Sequence, residues 1–87
     1  MLAKGIRITH KIIKRLAVLA ARSGDDRLEL NIVAWNGKFP KYDIRVWTAD
    51  DRPGRGITLD KMELKALYQA IGEEISRLEL LEEQRGQ

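Results

Sequence analysis

Two stretches of this chain alternate with period two, and a third repeats at steps of three and four. In residues 41–48 (KYDIRVWT), Tyr42, Ile44 and Val46 fall on one face of an extended strand. Lys41, Asp43, Arg45 and Trp47 fall on the other. Residues 28–35 (LELNIVAW) behave the same way, with Leu28, Leu30, Ile32 and Ala34 opposite Glu29, Asn31, Val33 and Trp35. Further on, Leu64, Leu67, Tyr68, Ile71, Ile75, Leu78 and Leu81 keep one apolar stripe at helical spacing. Asp60 with Glu63 three residues later fits a capping box, so a helix is expected from Lys61 to about Leu81, roughly 30 Å long.

The punctuation between these elements is equally plain. Ser23-Gly24-Asp25-Asp26 and Asp50-Asp51-Arg52-Pro53-Gly54 are turn clusters, and Asn36-Gly37 opens a loop through Lys38, Phe39 and Pro40. A short strand is expected over residues 55–59, where Gly56 permits close backbone approach. Residues 11–22 (KIIKRLAVLAAR) fit neither period cleanly. Ile12, Ile13, Leu16 and Leu19 suit a helix, Ile12, Leu16, Val18 and Ala20 suit a strand, and periodicity leaves the choice open. Residues 1–10 read as a poorly ordered arm, 11–81 as one domain and 82–87 as a tail. Gly72 costs about 1 kcal/mol within the helix and marks a place for close packing. Ile75, Leu78 and Leu81 lie beyond what one small sheet can cover, so a partner helix is their simplest home.

At 87 residues there is room for one modest core, which favours exceptional packing or an oligomer. The net charge of +3 conceals a split. Residues 1–61 hold 13 Lys and Arg against 7 Asp and Glu, whereas residues 62–87 hold 3 against 6. The positive field belongs to the strands, and it favours a polyanionic partner. With no cysteine there is no disulfide or thiolate chemistry, and the single His10 cannot make a histidine-rich metal site. The N-terminus lacks the apolar core of a signal peptide, and no uncharged run is long enough to span a membrane. A cytoplasmic protein, nucleoid-associated if bacterial, is the resulting expectation.

Catalysis finds little support. The acid pairs Asp25-Asp26, Asp50-Asp51, Glu73-Glu74 and Glu82-Glu83 fall in turns or on a helix surface, and His10 has no partner in its arm. No enzyme, cofactor, metal or small-molecule substrate is expected. RPGRG lacks the spacing of a P-loop and reads as a basic turn. The nucleic-acid signal is a combination of Trp35 and Trp47 on neighbouring strands, Arg45 beside Trp47, and Lys38, Lys41, Arg52 and Arg55 around them. Paired strands would put both tryptophans on the polar face, opposite the helix, with rings for bases and cations for phosphates. The plainer alternative makes Trp47 a rim residue under a loop and the charges an ordinary solvated face. A protein-interaction module anchored by Trp47, and RNA binding through the same face, are the competing functions.

The run AWNGKFPKYDIRVWTADDRPGRGITLDKMELKAL resembles the YdbC branch of the positive cofactor four family, the transcriptional coactivator-like single-stranded DNA-binding proteins. The carriers are Trp35-Asn36, the segment from Pro40 to Trp47, and Gly54 to Leu59 leading into the helix. The resemblance implies an α+β fold, a four-stranded antiparallel curved sheet followed by a C-terminal helix (ββββα), with residues 11–22 as the first strand. It implies a homodimer through the helices and last strands, for which Ile57, Leu59, Leu67, Ile71, Ile75 and Leu78 are the candidates. It also implies single-stranded DNA along the curved sheet with little sequence preference. Arg45 and Trp47 match the groove-lining arginine and aromatic, Arg55 matches the basic residue before Gly56-Ile57-Thr58-Leu59, and either Trp35 or Phe39 fills the role of the loop aromatic.

Overall fold

The computed structural model describes residues 8–86; most of the expected arm lies outside them. Four strands, β1 (His10–Ala21), β2 (Arg27–Trp35), β3 (Lys41–Trp47) and β4 (Pro53–Leu59), pair antiparallel in the order β1-β2-β3-β4. Helix α1 (Lys61–Arg85) follows. This is the expected ββββα fold, and the segment that periodicity left open is a strand through Ala21 and not a helix, with Arg22 just beyond it. The helix runs four residues past its expected end and takes in most of the supposed tail.

The ambiguity of β1 has a structural cause. Its register against β2 shifts between Ile12 and Lys14, between Arg15 and Ala17, and between Val18 and Ala20. Each shift skips one residue, Ile13, Leu16 and Leu19 in turn. Ile12, Arg15 and Val18 therefore stand opposite Val33, Asn31 and Glu29, one residue in three. Three consecutive bulges convert a strand's period of two into a period near three, which in sequence imitates a helix. They also coil the sheet.

The coil is tight. Trp47 stands opposite Arg27, eight residues along β2 from Trp35, which is about 26 Å on a flat strand. Yet the two indole rings lie 6.4 Å apart and nearly parallel, and the His10 ring packs 5.1 Å from Trp47 and 5.7 Å from Trp35. The face carrying Glu29, Asn31, Val33, Asp43 and Trp47 is thus rolled inward, and all five are fully buried. Only Val33 and Trp47 among them are hydrophobic. The apolar face, with Leu28, Leu30, Ile32, Tyr42, Ile44 and Val46, stays half-buried.

The capping box forms as expected, Glu63 N–H donating to Asp60 Oδ1 and Asp60 N–H to Glu63 Oε1, each at 2.8 Å. The helix meets β3 and β4, with Leu64 and Leu67 half-buried, and then leaves the sheet. Ile71, Ile75, Leu78 and Leu81 are 42–47 % exposed, and Gly72 packs against nothing within the protomer. A compact chain of this length has a radius of gyration near 12 Å. The observed 16.9 Å reflects that projecting helix.

Candidate nucleic-acid interface

The rolled face is built from ions. Glu29 accepts hydrogen bonds from Arg15 Nη1 at 2.6 Å, Arg27 Nε at 2.5 Å and Asn31 Nδ2 at 2.8 Å. Burial pushes its carboxyl up, but these bonds and the two guanidinium charges outweigh it and hold the group below its ordinary 4.5. Asp51, in the β3–β4 turn, is held below its ordinary 3.8 chiefly by the bond from Arg27, with burial opposing and Arg15 assisting. Hydrogen bonds from Thr48 and its own backbone lower Asp50 as well.

Depressed carboxylates stabilise the folded state above their unfolded values, and that contribution is lost as pH falls through the folded values. The melting temperature is therefore expected to be level above about pH 5 and to decline below about pH 4. Glu29→Gln should cost about 2 kcal/mol at pH 7 and flatten that acid limb. Thermal melts of both proteins between pH 3 and 7 would show it.

Asp43 is satisfied even more fully. It accepts from Arg45 Nε and Nη2, each at 2.9 Å, from Thr58 Oγ1 at 3.1 Å and from Trp35 Nε1 at 3.3 Å. Arg45 lies 4.8 Å from the Trp35 ring centroid, and its Nη1 donates to the Gly54 carbonyl at 3.0 Å. A guanidinium so committed, with its side chain only 15 % exposed, has little left for a phosphate. Gly56 explains how it fits. A Cβ there would collide with the Ile44 carbonyl oxygen and stand 2.5 Å from Arg45 Cβ, so the close approach read from sequence is to β3 itself.

Both tryptophans do share the polar face, as the alternation predicted. The expectation of an exposed, base-stacking Trp47 is corrected, because the curl of the sheet buries that ring completely. The same burial removes Trp47 as an anchor for a partner protein. Trp35 is half-buried and engaged with Asp43 and Arg45.

Among the described aromatics of the strands and their loops, the exposed one is Phe39, at 90 %; Tyr68, 79 % exposed, lies away on α1. Phe39 follows a tight turn in which Asn36 and Gly37 both have positive φ, 52° and 71°, and Lys38 N–H donates to the Trp35 carbonyl at 2.9 Å. Lys38 and Lys41 flank it, both exposed and, among the described residues, in no ion pair. Lys11 and Lys14, opposite Ala34 and Ile32, add charge at the same end of the sheet. Sequence reasoning missed those two because only the bulged register places them there. Arg55 and Arg52 sit at the other end; Arg52 is loosely paired with Asp50 at 3.3 Å. Among the described residues no His, Cys, Asp and Glu group could hold a metal ion, and no helix is long and apolar enough to cross a membrane.

Residues 23–70 match the family described as Transcriptional Coactivator p15 (PC4). A protein of Treponema pallidum (strain Nichols), described as uncharacterized, is 36 % identical over 59 residues, which cover 67 % of this chain and 69 % of that one.

Proposed function

The chain belongs to the Transcriptional Coactivator p15 (PC4) family, and on that premise we propose that it binds single-stranded DNA as a homodimer with little sequence preference. The family is a nucleic-acid-binding, non-enzymatic one. The observation that carries the reading for this chain is Phe39, an aromatic ring displayed almost wholly to solvent between two lysines that make no ion pair among the described residues. Such a ring has no role in the protomer's core, and base stacking accounts for it without any demand on sequence. Transcription, replication or repair is the process such binding would serve.

The test is the affinity of a labelled oligo-dT strand at two salt concentrations. A phosphate binder loses affinity steeply with salt, by a slope of about −0.7 per phosphate neutralised. Phe39→Ala should weaken binding by about 1–3 kcal/mol while leaving the melting curve unchanged. Salt-insensitive binding, or none, would overturn the reading. RNA of equal length belongs in the same assay, because tighter binding of RNA would make it the ligand.

The dimer rests on the unburied stripe of α1 together with Ile57, 53 % exposed on β4, and Leu59. Those side chains and the half-covered sheet face would close against a second copy. Light scattering at micromolar concentration should return about twice the 10.0 kDa chain mass. A folded monomer would contradict it.

A further inference from the structure

Two arginines converge on one carboxylate oxygen at the edge of the rolled face. Arg15 Nη2 and Arg27 Nη2 both donate to Asp51 Oδ1, at 3.1 and 2.6 Å. Three further nitrogens are held behind it, Arg15 Nη1 and Arg27 Nε on the buried Glu29 and Arg27 Nη1 on the Thr48 carbonyl at 3.1 Å. Glu29 therefore holds two guanidinium groups in a fork that points outward, and that fork is anion-binding geometry assembled in advance. Its present occupant is unlike the rest of the network. Glu29 is buried, whereas the Asp51 side chain is 54 % exposed, on a turn, with its backbone at φ 61°.

We propose that Arg15 and Arg27 form a phosphate site and that Asp51 is its internal stand-in, displaced when a nucleic-acid phosphodiester binds. This rests on the single-stranded DNA reading above and extends it to two arginines that nothing in the residue pattern singles out. With Asp51 in place the four groups sum to zero charge. With Asp51 swung out, the fork carries one net positive charge beside Arg52 and Arg55, both exposed at the same end of the sheet. A phosphate oxygen can accept from both Nη2 atoms as the carboxylate does.

The experiment compares wild type, Asp51→Asn, Asp51→Gly and Asp25→Asn for binding labelled oligo-dT across a salt series. Asp25 is the control for net charge, an exposed carboxylate in the β1–β2 turn at the same end of the sheet and also at positive φ. Both Asp51 variants should bind about threefold to tenfold tighter than wild type. The log–log salt slope should match that of wild type, because the same phosphates are neutralised in both and only the competition from Asp51 is gone. Adding Arg15→Gln should abolish the improvement. Asp51 variants that bind no tighter than Asp25→Asn overturn the proposal and leave single-stranded DNA binding standing. Inorganic pyrophosphate separates the two claims. If wild type fails to bind dT but pyrophosphate raises the melting temperature of Asp51→Asn and not of Asp25→Asn, the site is real and the DNA reading is wrong. Loss of the fold in both Asp51 variants would make the carboxylate a structural latch and end the proposal.

Discussion

Trp47→Ala is expected to destabilise the protein by about 3–5 kcal/mol, the cost of emptying a fully buried indole site. A chain of 87 residues has roughly 4–13 kcal/mol of stability in all, so the variant should be close to unfolded at 37 °C. The effect is large because there is so little else. Val33 is the only other hydrophobic side chain fully buried among the described residues, and Trp35 and His10 both pack on the Trp47 ring. Trp47→Phe separates volume from polarity. Trp47 Nε1 is buried without a hydrogen-bond partner, and its removal offsets part of the lost volume, so this variant should cost only about 1–2 kcal/mol. Urea unfolding followed by circular dichroism measures both. An alanine variant with a wild-type midpoint but weakened dT binding would make the ring an exposed stacker after all.

Gly56→Ala should cost about 3 kcal/mol or more. The added methyl would collide with the Ile44 carbonyl oxygen and meet Arg45 Cβ at 2.5 Å, and backbone atoms of a central strand cannot step aside. The damage extends beyond pairing. Gly54 and Gly56 let the Arg45 side chain lie across β4 to reach the Gly54 carbonyl, so displacing it strips Asp43 of its bidentate partner and leaves a buried charge exposed to its own desolvation cost. The helix follows β4 and should come away with it. Gly54→Ala, whose methyl would stand 3.1 Å from the Val46 carbonyl oxygen, is the graded comparison and should cost about 1 kcal/mol. Equal unfolding midpoints for the two variants would show that β4 is not seated on β3 as described.

What the residues declared on their own was local. Period-two alternation located β2 and β3, the Asp60 and Glu63 box located the helix start, and Asn36-Gly37 located a turn whose two positive φ angles few other residues adopt without strain. These features are encoded within a few residues of one another, so each is legible without its surroundings. The family motifs added the assignment of β1 as a strand, which periodicity left undecided.

A curved sheet was implied only by the family resemblance; the residue pattern by itself did not declare the curl, and most of the site turns on it. Bulges depend on which residue of β1 finds which residue of β2, a long-range choice that leaves in sequence only a pattern resembling a helix. Once the sheet coils, the charged face becomes the interior. Glu29, Asn31 and Asp43 are buried with their partners, Trp47 exchanges an expected ligand role for a core one, and Arg45 is committed to Asp43. Alternation tells which residues share a face. Only the tertiary structure decided which face is inside, because a polar face can be buried whenever its ions find one another, and beside the local pairs Arg27–Glu29 and Arg45–Asp43 that needs Arg15 to reach Glu29 and Asp51, and Arg27 to reach Asp51, across 14 to 36 positions.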